Sequence, residues 1–394
     1  MYFDQDPDTW LKYEYWSSLA LRHTPGLGLL SINRLLQEFG SAYAAVQGVD
    51  QWSDLLFMRK HLIRNFRDEL WREQAGQEWV NCRKLGLDII LYSGRDYPQR
   101  LREVPDAPVF LYYKGKPSLL HQPCLAVVGS RNCTRRGGRL AYHLAKELTK
   151  AGLCVVSGLA QGIDSQAHWG SLQGSGSSIA VLGTGLDQVY PVENRELKYR
   201  LEKKGLVLSE FEPGTQPDAH NFPRRNRIIS ALSLGVLVVE AASRSGSLIT
   251  AGIALEQGRE VFAVPGFPDS ELSTGCNDLL KQGAALVRDA QDVIQEIVPL
   301  LSTEWNEVVQ DVPDAKQAGE GSRNVESVLN SEQLSLLDDE EKKLLKILEN
   351  KNQAHIDFLA AELGWESQKM SRVLMMLEIK GVVKQMSGMY YSLC

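Results

Sequence analysis

Three arginines, an asparagine and an aromatic ring lie within the six residues Phe222–Arg227. Guanidinium groups pair with two phosphate oxygens at once and stay charged at physiological pH, while an aromatic ring offers a face on which a base can stack. A basic turn of this kind is also common at a solvated helix start. The segment precedes a predicted helix over Arg225–Leu232, so we expect it at a loop-to-helix junction. Its candidate binding residues are Phe222, Arg224, Arg225, Asn226 and Arg227.

Two short loops, residues 129–131 and 158–162, would bring further anion-binding groups to the same region. The first offers backbone N–H groups, a hydroxyl and a guanidinium group to an anion. The second has little side-chain bulk, so that a ligand can approach its backbone, although a plain tight turn explains it equally well when taken alone. The candidate residues are Ser130 and Arg131 in the first loop and Gly158, Leu159, Ala160 and Gly162 in the second.

The elements that position these loops alternate between strands and helices from about residue 87. Apolar runs such as Cys124–Val128 and Ser178–Leu182 are separated by helical stretches such as Gly138–Ala151. Connections of a few residues between them indicate crossover units and a parallel sheet covered on both faces. We therefore predict an α/β, Rossmann-like, doubly wound and mostly parallel sheet over residues 86–298. Ligands bind outside the carboxyl ends of such strands. The loops at 129–131 and 158–162 would lie together there with two further loops, 183–187 and 243–250.

Apolar residues at helical spacing predict a small helical domain over residues 1–85. Within it, Thr24–Gly28 joins two helices. A glycine turn of this form resembles a helix-hairpin-helix, whose backbone N–H groups can meet a DNA phosphate, so the domain is described as SAM/helix-hairpin-helix-like. The turn is also explained as a simple change of direction between two helices.

The helical and strand periodicities both fail over residues 299–334, where we predict a flexible polar linker. Residues 335–394 then show the pattern of three helices followed by a hairpin of Val382–Gln385 and Tyr390–Leu393. This pattern is typical of a winged helix. The region holds eight basic and nine acidic residues, so its charge does not decide between a DNA partner and a protein partner.

The composition of the 394 residues, 43% hydrophobic and 23% charged, is that of a soluble globular protein. A net charge of −6 means that any contact with nucleic acid must come from local basic patches. The six cysteines show neither paired nor zinc-ligand spacing, so we predict no metal and no cofactor. The N-terminus lacks the features of a signal peptide and no run approaches about 18 apolar residues, so we expect a cytoplasmic protein without a membrane span.

Five motifs, in this order, resemble those of the bacterial DNA-processing protein A family, also called DprA or Smf. They are Gly-Ser-Arg at 129–131, the loop at 157–164, the basic segment at 222–227, Ser-Gly-Ser-Leu-Ile-Thr at 245–250 and Val-Pro-Gly at 264–266. The resemblance implies a Rossmann-like domain that binds single-stranded DNA without sequence preference. It also implies a homodimer that loads the RecA recombinase during natural transformation and is not an enzyme.

The same resemblance assigns DNA contacts to individual residues of this chain. They are Arg131, the backbone of Gly158–Gly162, and Phe222, Arg225, Asn226 and Arg227, with Arg224 at a position that the family motif leaves open. Arg225 and Arg227 would neutralise phosphates. Phe222 would stack on a base or plug the space under the loop.

Two rival functions remain consistent with the residues. A Rossmann-like hydrolase resembling the nucleoside-monophosphate phosphoribohydrolases would use a glycine-threonine loop and a glutamate on the next helix. Glu256 lies downstream of Gly246–Thr250, but the motif spacing of that group is absent. Alternatively, a nucleotide-binding regulator would leave DNA binding to the winged helix.

Overall fold

The computed structural model of this chain describes residues 7–297 and, beyond them, 343–348, 353–365, 369–370, 373–374, 377, 383–386 and 390–393. The chain divides into two compact units, residues 1–309 and 310–394. The linker predicted at 299–334 lies outside the described residues. The domain boundaries at residues 85 and 335 stay predictions.

The first described residues form a group of short helices, as their apolar spacing predicts. They are α1 Pro7–His23, α2 Leu29–Phe39, α3 Ala42–Gln47, α4 Lys60–Arg67 and α5 Arg72–Leu85. Helix α2 shows why they pack: Ile32, Leu35 and Leu36 recur at helical spacing and are buried on one face. Gly26, with φ of +82°, turns the chain between α1 and α2. The helix-hairpin-helix interpretation of this turn stays a prediction.

Nine strands form one mostly parallel sheet, in the order β1-β2-β6-β5-β4-β3-β7-β8-β9. They are β1 Asp88–Leu91, β2 Phe110–Gly115, β3 Cys124–Val128, β4 Cys154–Ser157, β5 Ser178–Leu182, β6 Leu206–Ser209, β7 Gly235–Val238, β8 Glu260–Ala263 and β9 Ala285–Leu286. Strand β2 runs antiparallel to both β1 and β6, and the other pairs are parallel. The predicted α/β, doubly wound fold is confirmed.

Helices connect these strands and cover both faces of the sheet. They are α6 Gln99–Arg102, α7 Arg135–Lys150, α8 Ile163–Gln173, α9 Arg195–Lys204, α10 Asn221–Ala231, α11 Gly246–Glu256 and α12 Glu271–Lys281, followed by a helix over 290–297. None of the described helices is both long enough and apolar enough to cross a lipid bilayer.

Alternate residues of the central strands supply two hydrophobic clusters, one on each face. In β3, Leu125 and Val127 belong to one cluster, whereas Ala126 and Val128 belong to the other. The cluster on the Ala126 side continues into the N-terminal helices and includes Trp52. Both faces of the sheet are therefore covered by apolar side chains, so the polar loops at the strand ends are the part of the sheet that a ligand can reach.

A buried carboxylate fastens the N-terminal helices to the edge of the sheet. Glu78 of α5 accepts a hydrogen bond from the hydroxyl of Tyr112 of β2 at 2.7 Å. It also forms an ion pair with Arg22 at 3.3 Å. The ring of His23 also contacts its second oxygen, and Tyr15 lies 2.8 Å from the Tyr112 hydroxyl. Because each charge in this cluster has a partner, the helical region is held against β2 through polar as well as apolar contacts.

The C-terminal unit contains the winged-helix elements that the sequence predicts. Helix Ile356–Leu363 and strands β11 Val383–Met386 and β12 Tyr390–Leu393 lie where expected, and helical residues are also described at 343–348. A further strand, β10 Gln353–His355, pairs with β12 and was not predicted. Its three residues include no β-branched or aromatic-rich run that would signal a strand.

His168 of α8 makes the stability of the sheet domain depend on pH. The side chain is fully buried, its Nδ1 lies 2.8 Å from the Ser178 hydroxyl, and burial lowers its pKa to about 3. In the unfolded chain the pKa of this imidazole is about 6.5, so the unfolded state binds a proton at a higher pH than the folded state does. The folded protein therefore loses stability as the pH falls below about 6.5. We expect His168 to account for about 2 kcal/mol of lost stability between pH 7 and pH 5.

Urea denaturation of the wild type and of His168→Gln at both pH values measures this loss. The variant should show a smaller drop in the midpoint between pH 7 and pH 5 than the wild type. His143, which is exposed on α7, provides the matched control variant His143→Gln. An equal pH response in wild type and His168→Gln would contradict the assignment.

Candidate nucleic-acid interface

Helix α10 begins at Asn221, four residues before the start predicted at Arg225. The basic segment therefore lies on the first turns of a helix and not at a loop-to-helix junction. Pro223 is the third residue of this helix, a position where its missing N–H has no intrahelical partner to lose. Our prediction began the helix two residues after this proline, whereas here the proline lies inside the first turn.

Helical spacing divides the segment between two faces of α10. Phe222, Arg225 and Asn226 lie three and four residues apart and line a cavity of about 700 Å³, here called the groove. Arg224 and Arg227 line a separate cavity of about 1250 Å³ between the N-terminal helices and the sheet domain, here called the cleft. The structure thus does not bring the five predicted binding residues together.

The groove lies at the carboxyl ends of the central strands, where the sequence places it. Ser130 and Arg131 of the loop after β3 line one wall, and Ala160 of the loop after β4 lies beside them. Loop 245–250, at the start of α11, lines the opposite wall. Gly158 and Leu159 are buried, so the second loop presents only part of its backbone to the groove.

Buried polar groups hold the loop after β4 in a strained shape. Leu159 has a φ of +56°, a left-handed conformation that costs energy for a side chain with a Cβ. Asn194 donates to its carbonyl oxygen at 2.9 Å. The Asp164 carboxylate accepts from the N–H groups of Gly158 at 3.1 Å and Ala160 at 3.4 Å. Because both its donors and its acceptors are satisfied internally, the loop is fixed before any ligand arrives.

The two glycine loops touch each other. Gly162 has a φ of +79°, and a Cβ there would lie 2.3 Å from the carbonyl oxygen of Ser130. Ser130 in turn donates its N–H to the carbonyl of Glu240 at 2.7 Å. Only glycine permits this approach, so the loops after β3 and β4 form one surface.

Arg131 and Phe222 lie against each other at the mouth of the groove. The Arg131 side chain is exposed and its Cζ lies 4.9 Å from the centroid of the partly buried Phe222 ring. The ring of Tyr190 lies 5.7 Å from that of Phe222 and lines the groove as well. A Cβ on Gly183 would come within 2.9 Å of the Phe222 ring, so that glycine makes room for it. Tyr190 was not among the predicted site residues, because a single tyrosine before a proline carries no motif.

Arg225 faces the protein rather than solvent. It is 4% exposed, and its Nη1 donates to the carbonyl oxygens of Gly158, at 2.6 Å, and Val181. Burial lowers the pKa of this guanidinium to about 10, against the opposite effect of Asp164. Burial also raises the pKa of the Asp164 carboxyl, against the effect of Arg225. These contacts differ from the ligand-facing arginine that the sequence led us to expect and make Arg225 a support of the Gly158 loop.

Arg227 is likewise committed to internal partners. It is 7% exposed and forms ion pairs with Glu210 and, at 3.3 Å, with Asp106. Arg224 is exposed, with its Cζ 5.5 Å from the ring of Phe211. Both belong to the cleft, so the arginines of the segment do not form a single phosphate-binding cluster.

Glu240 occupies the N-terminus of α7, the place where many α/β folds hold a phosphate. Its carboxylate accepts from the N–H of Thr134 at 2.8 Å and from its hydroxyl at 2.7 Å. A Cβ on Gly137 would lie 2.2 Å from the same carboxyl carbon. A bound phosphate would meet this negative charge, which disfavours the dinucleotide type of site.

Glu256, the glutamate that the hydrolase alternative would use, lines the cleft. The loop that would hold the substrate of such an enzyme, Gly246–Thr250, lines the groove. The two features therefore face different cavities.

A single group of side chains in the described part of the chain has metal-ligand proximity. The ligand atoms of His23, Glu78 and Glu212 lie within 4.8 Å of one another. Both oxygens of Glu78 already accept contacts from Arg22, His23 and Tyr112. A cation would have to displace these partners, so the donor set fits a structural ion-pair cluster better than a metal centre.

Comparisons with known proteins agree with this architecture. The family profile described as DNA recombination-mediator protein A matches residues 88–298, and that described as DprA winged helix domain matches residues 331–389. The chain is 50% identical over 200 residues to DNA processing protein DprA of Streptococcus pneumoniae, covering 51% of this chain and 71% of the relative.

Two solved structures are also similar. The X-ray structure of DprA from Streptococcus pneumoniae has a TM-score of 0.64 and 39% identity, covering 72% of this chain and 97% of that one. DNA processing protein A from Helicobacter pylori, studied for its single-stranded DNA binding mode, has a TM-score of 0.50 and 30% identity, covering 54% and 96%.

Proposed function

Because the chain belongs to the DNA recombination-mediator protein A family, we propose that its groove binds single-stranded DNA without sequence preference. The observation that carries this proposal is the exposed Arg131 guanidinium 4.9 Å from the Phe222 ring, at the junction of two glycine loops. The solved Helicobacter pylori relative, which was studied for its single-stranded DNA binding mode, supports the same assignment.

The residues of the groove divide the work of binding. Arg131 neutralises a phosphate, while the Ser130 hydroxyl and the Asn226 amide offer hydrogen bonds to the backbone of the strand. The glycines of both loops let the strand lie close to the protein. Phe222 and Tyr190 present ring surface to unpaired bases, and such stacking tolerates every base.

Arg225 acts as a positioning residue in this proposal. Its hydrogen bond to the Gly158 carbonyl holds the second loop against α10, and its charge compensates that of Asp164 beneath the groove. The family resemblance gives Arg225 and Arg227 as direct contacts, and we revise this because both are buried and internally paired. Arg224 and Arg227 are assigned to the cleft.

We extend the proposal to the partners that the resemblance implies. The protein would act as a homodimer in the cytoplasm and pass its bound strand to the RecA recombinase, as a mediator without catalytic activity of its own. Size measurement by light scattering tests the dimer. Acceleration of RecA filament assembly on strands coated with single-strand-binding protein tests the loading step.

The central test is binding to single-stranded and duplex oligonucleotides across a salt series. We expect preference for the single strand, because stacking on Phe222 and Tyr190 requires unpaired bases. The logarithm of the affinity should fall linearly with the logarithm of salt, by about 0.7 for each phosphate contacted. Equal affinity for duplex and single strand at each salt concentration would contradict the proposal.

A further inference from the structure

An aromatic side chain stands exposed at the carboxyl end of β8, outside the groove. Phe267 is 66% exposed, and Cζ of Arg136 lies 5.9 Å from its ring centroid. The loop that carries it is fixed, because the side chain of Asn277 both accepts from the Gly266 N–H at 3.2 Å and donates to its carbonyl at 3.1 Å. A rigid loop therefore holds this ring in water, where it is available to stack on a base.

The arginines beside this ring are placed against the usual rules of helix stability. Arg135, Arg136 and Arg139 are exposed and occupy the first five residues of α7. Cations at the N-terminus of a helix oppose its dipole, and like charges four residues apart repel each other. Within the described residues, none of the three forms an ion pair with a carboxylate. Glu240 places one negative charge at this helix end through Thr134, whereas the three exposed guanidinium groups are left to an anionic ligand.

The position of these residues continues the line of the groove. The loops after β4 and β3 form the groove, and β7 and then β8 follow in the sheet. From β4 to β8 there are three strand spacings, about 14 Å. This distance corresponds to about four nucleotides at the duplex spacing of 3.4 Å and to fewer in an extended strand.

We propose that Arg135, Arg136, Arg139 and Phe267, here called the Phe267 patch, bind the next nucleotides of the same single strand that occupies the groove. The arginines take phosphates and Phe267 stacks on a base. The inference rests on the proposed function. It adds a second subsite, a path for the strand along the sheet edge from β4 to β8, and a longer binding site. A nucleic acid is favoured over a protein as the occupant because the three exposed guanidinium groups, which have no carboxylate partner among the described residues, match the negative charge of phosphates.

The test compares oligothymidylates of about 2 and about 15 nucleotides, because two nucleotides span less than the distance of about 14 Å between the subsites and only the longer one reaches both. Fluorescence anisotropy should show that Phe267→Ala weakens binding of the long oligonucleotide about five- to hundredfold and leaves the short one unchanged. Arg136→Ala should act in the same direction, and Phe267→Trp should keep the wild-type affinity for both. The matched control is Tyr199→Ala, which removes an exposed ring of 56% exposure with a cation, Lys203, at 5.6 Å, on helix α9.

The outcomes separate the two proposals. If the wild type binds neither oligonucleotide, the proposed function fails and the patch loses its basis. If the wild type binds and Phe267→Ala equals it at both lengths, the patch is wrong and the groove stands. Equal loss at both lengths, or a changed molecular mass with unchanged binding, would also overturn the patch, because the ring would then serve the groove or a protein contact. Loss confined to the long oligonucleotide supports it.

Discussion

Replacement of Arg131 by alanine is expected to weaken single-strand binding about ten- to hundredfold, because a hydrogen bond to a charged group contributes about 1.5–3 kcal/mol. The side chain is exposed, and among the described residues it contacts the Phe222 ring without a carboxylate partner. The free energy of unfolding should therefore change by no more than about 0.5 kcal/mol. Arg131 also lowers the pKa of Arg225, so its removal relieves a repulsion between like charges.

The measurement is the salt dependence of single-strand affinity. The slope of the Arg131→Ala variant should be shallower than that of the wild type by about 0.7, the value for one lost phosphate contact. Arg224→Ala is a matched control, since Arg224 is also exposed and also lies over a phenylalanine ring, Phe211, but on the other face of α10. If Arg224→Ala loses as much affinity as Arg131→Ala, the strand passes through the cleft and our division of the two faces is wrong.

The strands and the place of the site were predictable because both follow from local patterns. Apolar runs such as Ser178–Leu182 and Glu260–Val264, separated by helices, leave only a parallel sheet as a means of burying both faces. Once the sheet is parallel, the loops at 129–131 and 158–162 must meet at one edge. The contact between Gly162 and Ser130 is the atomic form of that expectation.

The partners of each arginine were not predictable, because they lie far away in sequence. Arg225 binds the carbonyl of Gly158, and Arg227 pairs with Asp106 and Glu210. Three basic residues within the segment Arg224–Arg227 look alike in a sequence, and only the three- and four-residue spacing of a helix that starts at Asn221 divides them between two faces. The early start was hidden by Pro223, which marks the first turn of a helix as readily as its boundary.

The supports of the loops were missed for the same reason. Asn194 holds the strained Leu159 through a hydrogen bond between residues 35 positions apart in the sequence, and Glu240, just after β7, accepts from Thr134, the N-cap residue of α7. Asp164 accepts from the backbone of the loop after β4 and compensates the charge of Arg225, which lies 61 positions away in the sequence. Single polar residues in ordinary loops give no signal until the fold brings them to a backbone group.

Replacement of Arg225 by methionine is expected to act on stability first and on binding as a consequence. The guanidinium is 4% exposed and satisfies the carbonyls of Gly158 and Val181, while its charge compensates the buried Asp164. Removal of one member of a buried charge pair costs about 3–5 kcal/mol. Arg225→Lys should not rescue the variant, because a single ammonium cannot reproduce the spread donors of the guanidinium group.

Urea denaturation of Arg225→Met and of Arg225→Met with Asp164→Asn distinguishes this support role from direct contact with DNA. In the single variant Asp164 is left without its compensating charge, so its pKa rises further. When the pKa of a carboxyl is raised in the folded state, the folded protein loses stability as the pH rises through that folded-state pKa. The loss of unfolding free energy in Arg225→Met, relative to the wild type, should therefore shrink as the pH falls. The double variant, which lacks the buried charge, should recover part of the stability at pH 7. If Arg225→Met unfolds like the wild type and yet fails to bind the single strand, Arg225 reaches the DNA itself and the role assigned to it here is wrong.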